Sequence, residues 1–334
     1  MRIAINAASM QVLNEQTGYG PELLSRLVKA LPDEQFIWIE NAGWQLPFQL
    51  KKQKAERYLG LNAEGSATSS IPQVLITEEI MPAGSFVNKA LFASTLRKAT
   101  ALISPSQYHK EQLVAQYKLA GTKVHVIPPV PSPQAQYDYS WEQREAIKEQ
   151  YAGGNEYFLF EGPLQPSNNI GSLLRAFSVF KKWQKSSMKL LLAGPIPLKH
   201  EKELDELASY RFRSDLTIID QLPVGELTQL RACAYATVYP ATTSYSGRTV
   251  LEAMAAGIPV ITSPGSALEE TGGPAALYAD PLNSREWGEQ MIRLYKDEAL
   301  RSRLIKSGKE RAEQLQQQPG IAVLETILRS PAAV

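Results

Sequence analysis

Between Pro240 and Gly257 the chain sets Ser246, Gly247, Arg248, Thr249 and Glu252 within seven positions. The apolar residues Val250, Leu251, Ala253 and Met254 continue the stretch and Gly257 ends it, so the spacing predicts a helix from Thr249 to Ala256. The first turn of a helix has N–H groups without intrahelical partners and a positive dipole end, which together suit an anion such as a diphosphate. Ser246 and Gly247 allow close backbone approach, Arg248 adds a full charge, and Glu252, one turn in, is a candidate hydrogen-bond acceptor. The plainer alternative is that Ser246 or Thr249 caps a core helix and that Glu252 lies on a solvated face. Elsewhere, Glu78 and Glu79 are adjacent carboxylates on a loop, and Gly18-Tyr19-Gly20 lacks the third glycine of a dinucleotide fingerprint. One cysteine, Cys233, and the scattered His109, His125 and His200 offer neither a disulfide framework nor a metal cage.

The elements that must hold these residues follow from apolar periodicity. Strands are expected at Arg2–Asn6, Gln35–Ile39, Gln73–Ile76, Thr100–Ser104 and Val124–Ile127, with helices following Pro21 and over Gln107–Tyr117. A second series has strands Tyr157–Phe160, Met188–Ala193, Leu216–Ile219, Ala236–Tyr239 and Pro259–Thr262, and a helix Ile170–Phe180 whose Ile170, Leu173, Leu174, Phe177 and Phe180 share one face. This alternation implies two doubly wound, Rossmann-like α/β domains, with the loops after Phe160, Ala193, Tyr239 and Thr262 on the ligand side. Pro128, Pro129, Pro131 and Pro133 mark the break. The expected division is a domain over 1–131, a linker over 132–150, a second domain over 151–310 and a helical tail over 311–334.

The 334 residues carry 35 Lys+Arg against 34 Asp+Glu, which argues against non-specific nucleic-acid binding. The first apolar run is too brief for a signal-peptide core, and no stretch approaches the roughly 20 apolar residues of a bilayer-spanning helix. The expected location is the cytoplasm, with peripheral contact at the inner membrane face left open.

The run from Val250 through Glu252 and Gly257 to Thr262 closely resembles the nucleotide-sugar-binding helix and following strand of the family 4 (group 1) retaining glycosyltransferases. Those proteins have the GT-B architecture, two Rossmann-like domains facing across a cleft. The likeness continues in order through Ala101–Pro128, Gly162–Phe177, Leu191–Gly194 and Gly265–Glu270 to Asp280-Pro281. It implies a ribose-binding role for Glu252, and donor contacts from Gly162, Asn168, Ser246, Gly247, Arg248 and Thr249. Gly18 and Gly20 resemble the glycine loop of the N-terminal domain, near the donor phosphates. By the same resemblance the nucleotide sugar is a substrate and no cofactor is expected.

Departures from the family pattern are as informative. The family's sugar-side Glu, eight positions before Glu252, is Ser244 here; its Arg and Lys after the first strand of the second domain are Pro163 and Asn168; and its His-Asp pair is Glu78-Glu79. The resemblance makes Glu78, Glu79 and Ser244 the catalytic candidates. Removing one electrostatic donor from an enzyme costs on the order of 3–4 kcal/mol at the transition state, so the missing cations put turnover at issue. Arg248 is the basic residue that the local sequence places beside the helix start, with Lys110 and Lys199 as further candidates. Two functions remain open. One is transfer of a sugar from a nucleotide-diphosphate donor to a hydroxyl of a glycan or lipid-linked acceptor in polysaccharide assembly. The other is a non-catalytic GT-B protein that binds nucleotide, sugar or a partner glycosyltransferase.

Overall fold

The computed structural model describes residues 1–6, 18–39, 44–80, 86–196, 207 and 209–330. The chain divides into two units: Met1–Pro129 together with Gln318–Val334, and Val130–Gln317.

The first unit is a six-stranded parallel sheet of β1 (Arg2–Asn6), β2 (Gln35–Ile39), β3 (Arg57–Gly60), β4 (Gln73–Ile76), β5 (Ala101–Ser104) and β6 (Val124–Val126), in the order β2-β1-β3-β4-β5-β6. Its described helices begin with α1 (Tyr19–Ala30), α2 (Leu46–Lys52), α3 (Phe86–Lys98) and α4 (Gln107–Tyr117). The strand at Arg57–Gly60 is absent from the sequence reading because only Tyr58 and Leu59 stand between a charge and a glycine, too short an apolar run to mark a strand. Gly60 fits it closely: a Cβ there would lie 2.0 Å from the Glu64 carbonyl.

The second unit has β7 (Tyr157–Glu161), β8 (Lys189–Ala193), β9 (Leu216–Ile219), β10 (Ala236–Tyr239), β11 (Val260–Thr262) and β12 (Leu277–Tyr278), in the order β12-β11-β10-β7-β8-β9. Its described helices are α5 (Trp141–Ala152), α6 (Ile170–Trp183), α7 (Val224–Ala232), α8 (Arg248–Ala255), α9 (Ala267–Gly272), α10 (Ser284–Lys296) and α11 (Glu298–Gln316). A parallel sheet is covered on both faces, and β7 shows how: Phe158 and Phe160 enter one core with Phe177, Phe180 and Trp287, while Tyr157 and Leu159 enter the other with Leu251 and Met254.

Two boundaries differ from the sequence reading. Within 132–150, Ser140 caps α5 through a reciprocal box with Gln143, so much of that stretch is helix belonging to the second unit. At the C-terminal end, α11 runs unbroken past residue 311, and the chain rejoins the first unit at Gln318. There α12 (Gly320–Arg329) buries Leu324 and Leu328 in the core built by Leu23, Leu24 and Leu27 of α1. Arg57 Nε donates to the Leu328 carbonyl at 2.9 Å, and Arg329 pairs with Glu34 at 2.6 Å.

The first unit also contains a pH-sensitive group. His109 is fully buried, with Nδ1 3.0 Å from Ser104 Oγ. Burial pushes its imidazole from the ordinary 6.5 down to about 4, and a hydrogen bond to the Glu79 backbone offsets part of this. Between those values the unfolded chain binds a proton that the native fold does not, so stability is lost as pH falls through that window. His125, also lowered by burial and by Lys110, acts in the same direction. Stability at pH 4.5 is expected to lie about 2 kcal/mol below that at pH 7. Urea melts across this range should show the slope, and His109→Gln should flatten it; a parent protein equally stable at both pH values contradicts the assignment.

Candidate functional site

With its strands numbered one to six from β7, the second unit has the order 3-2-1-4-5-6, and the order reverses between β7 and β10. The carboxyl ends of strands at such a switch point form the ligand crevice of doubly wound sheets. The loops at this point run from Gly162 to Asn169 after β7, and from Pro240 to Gly247 after β10.

Gly247 opens α8 with φ 65°, a left-handed conformation that L side chains rarely adopt. A Cβ there would stand 2.1 Å from Thr271 Oγ1 and 2.5 Å from the Ala267 carbonyl, so glycine is required twice over. Gly247→Ala is expected to destabilise by about 1–2 kcal/mol from the backbone alone, and by more once Thr271 must move. A urea midpoint equal to that of the parent would contradict this. The helix starts at Arg248, one residue earlier than the periodicity suggests. Just ahead of it, Ser244 Oγ accepts from the Gly247 N–H at 3.3 Å and Ser246 Oγ from the Arg248 N–H at 3.4 Å. Gly247 supplies no side chain to cap the helix, and Thr249 lies half-buried in the first turn.

Glu252 is 4% exposed, so it is not on a solvated face. Its Oε1 accepts from the Ser132 N–H at 3.1 Å and lies 3.4 Å from Arg248 Nη2; its Oε2 accepts from Ser132 Oγ at 2.8 Å and from Arg231 Nη1 at 3.5 Å. Arg231, on α7, also forks onto Glu161 at the end of β7, with 2.7 and 2.8 Å contacts. Burial alone would pull the Arg231 guanidinium down, but Glu161 and then Glu252 outweigh it and hold the group above its ordinary value. Among the described residues the site therefore has two cations, Arg248 and Arg231, where the local sequence points to Arg248. Glu161, Arg231 and Ser132 were not legible as site residues, because each meets its partner across a long stretch of sequence with no local pattern. Lys110 lies on α4 of the first unit, and Lys199 falls outside the described residues.

Asn168 and Pro163, which stand where the resemblance expects cations, are tied to each other: the buried Asn168 donates from Nδ2 to the Pro163 carbonyl at 2.7 Å. Gly162 has φ 147°, and the β8 loop crosses so closely that a Cβ on Gly194 would lie 2.1 Å from the Gly162 carbonyl. That loop is held by backbone packing.

In the first unit, Gly18 and Gly20 frame the start of α1. There the Glu78 carboxylate accepts from the Gly20 N–H at 2.8 Å and from the Tyr19 N–H at 3.3 Å. Glu78 thus serves as the anion for that helix N-terminus, a use of the carboxylate that its sequence neighbours do not reveal. Glu79 is exposed. Among the described residues no group of three or more His, Cys, Asp or Glu is arranged to hold a metal.

The paired sheets and the switch-point site define an α/β protein of GT-B architecture. The sequence profile of the glycosyl transferases group 1 matches residues 142–311, and the chain belongs to that family. Among curated proteins, it is 28% identical over 159 residues to O-antigen chain mannosyltransferase B of Escherichia coli, covering 47% of this chain and 42% of that protein. It is 22% identical over 285 residues to the O-antigen chain mannosyltransferase RfbU of Salmonella typhimurium, covering 82% and 76%. The chain spans about half the length of the first curated relatives it matches, 42% and 52%. Among solved structures, Anabaena Alr3699/HepE in complex with UDP matches with a TM-score of 0.77 at 15% identity, over 98% of this chain and 99% of that one. WaaG, a glycosyltransferase involved in lipopolysaccharide biosynthesis, matches with a TM-score of 0.73 at 14% identity, over 99% and 100%.

Proposed function

We propose that the chain is a retaining family 4 glycosyltransferase that moves a sugar from a nucleotide-diphosphate donor to a hydroxyl of a glycan or lipid-linked acceptor in polysaccharide assembly. The carrying observation is α8: its N-terminus stands at the switch point of the second sheet, with Arg248 in its first turn and Glu252 one turn in. In this reading the backbone at Gly162, Ser246, Gly247 and Thr249 approaches the diphosphate, Arg248 neutralises it, and Glu252 takes the ribose. Ser244 lies on the sugar side. Gly18 and Gly20 lie near the phosphates, with Glu78 already at their helix start, and this leaves Glu79 as the freer carboxylate for proton transfer. No cofactor enters the reaction. The names of matched relatives favour a mannosyl donor.

Among the described residues no helix is long and apolar enough to cross a membrane. Peripheral contact with an anionic membrane face is supported by Trp44, in the turn before α2, and Phe48 on that helix, 89% and 71% exposed, with Lys51 and Lys52 in the last turn of α2. Cytoplasmic location fits this reading.

A second reading, a non-catalytic GT-B protein serving a partner transferase, is favoured by the loop after β7, where Asn168 is committed to Pro163 and no cation stands in either place. Calorimetry with UDP, GDP and ADP tests the nucleotide site itself: the α8 reading requires that one of them bind, and no heat with any of the three overturns it. Product analysis by NMR, following the anomeric configuration of the transferred sugar, tests retention, and an inverted product excludes it.

A further inference from the structure

A carboxylate has about four acceptor positions, and those of Glu252 are all taken: two by Ser132 and one each by Arg231 and Arg248. The two contacts from Ser132 are the shortest, at 2.8 and 3.1 Å, and they fall one on each oxygen. That is the pattern of donors a vicinal diol presents. Ser132 is half-buried whereas Glu252 is 4% exposed, so Ser132 is the more accessible of the two partners. It is held there by the turn that it begins, Pro133–Gln136, whose Ala135 is fully buried in the core beneath α8.

Resting on the proposed ribose role of Glu252, we propose that Ser132 is a built-in stand-in for the ribose diol, and that a nucleotide reaches Glu252 only by displacing both of its hydrogen bonds. Arg231 and Arg248 stay in place during the exchange, because they are the ion-pair partners of the buried carboxylate. Ser132 therefore lowers ribonucleotide affinity and reserves Glu252 for ligands that carry two adjacent hydroxyls, since a ligand without them has no donors to offer in exchange and leaves Ser132 in place.

The test is calorimetry on the full chain with UDP, GDP and ADP and with their 2′,3′-dideoxy counterparts, in the parent, Ser132→Ala and Ser132→Thr. Loss of one competing hydroxyl is expected to tighten the ribonucleotide Kd about three- to tenfold in Ser132→Ala. Dideoxy binding should stay within about twofold, and Ser132→Thr, which keeps the hydroxyl, should resemble the parent. Amide hydrogen exchange in the parent requires no variant: a saturating ribonucleotide should speed exchange at Ser132 and the dideoxy form should not. Weaker or unchanged ribonucleotide binding in Ser132→Ala, equal tightening for the dideoxy forms, or ligand-induced protection at Ser132 overturns the proposal while leaving nucleotide binding intact. If neither parent nor variant binds any of the nucleotides, the functional reading fails and the proposal fails with it.

Discussion

Arg231→Met is expected to lose about 3–5 kcal/mol of stability, read as a fall in the urea midpoint. Removing one member of a buried ion cluster leaves the others charged and without a counter-ion, and here two carboxylates depend on the same guanidinium. The side chains of Arg231, Glu252 and Glu161 are 6%, 5% and 15% exposed, so water screens them poorly. Glu161 would lose both of its short contacts with Arg231, whereas Glu252 would keep Arg248 and Ser132. Most of the loss should therefore come from Glu161, and Arg231→Met/Glu161→Leu should recover a large part of it, since an apolar pair of similar volume is often no worse than the ion pair it replaces. A single variant as stable as the parent would show that the cluster is solvated in solution.

The second large effect concerns turnover. Arg248 is half-buried in the first turn of α8, at the switch point of the second sheet, and its guanidinium lies 3.4 Å from Glu252. Arg248→Ala is expected to lower turnover by about two to three orders of magnitude, the usual result of removing one preorganised electrostatic group from a transition state, with an unchanged circular-dichroism spectrum. Equal turnover in parent and variant would mean that departing diphosphate is stabilised elsewhere. Restoring the family pattern with Pro163→Arg/Asn168→Lys/Ser244→Glu is a less direct test than the sequence suggests. Lysine at 168 breaks the buried Asn168–Pro163 bond, and glutamate at 244 removes the hydroxyl that holds the Gly247 N–H.

Legibility in the sequence followed the range of the forces involved. Strands such as Tyr157–Glu161 and Leu216–Ile219 were readable because a buried parallel strand is an apolar run, and α6 because its core face repeats every turn. The start of α8 was readable to within one residue because the apolar pattern that follows it is a local signal, while the left-handed Gly247 before it was not legible as the cap. What the sequence hides is pairing over distance. Glu78 meets Gly20 across 58 residues, Arg231 meets Glu161 across 70, and Ser132 meets Glu252 across 120. Each is a polar residue whose neighbours give no sign of its partner. The return of the chain to the first unit at Gln318 is hidden for the same reason, since the apolar face of α12 is visible but the helix it packs on is not.

Donor turnover by the unmodified chain tests the central claim most directly. The chain would be incubated with a panel of nucleotide-diphosphate sugars, mannosyl donors among them, with and without a hydroxyl acceptor, and release of the nucleoside diphosphate followed by phosphorus NMR. The fold, the α8 site and the two arginines predict release from at least one donor, faster with acceptor; the proposed retaining mechanism adds that the sugar keeps its anomeric configuration. No release from any donor, by a protein that binds the free nucleotide in calorimetry, would contradict the transferase and establish the non-catalytic reading.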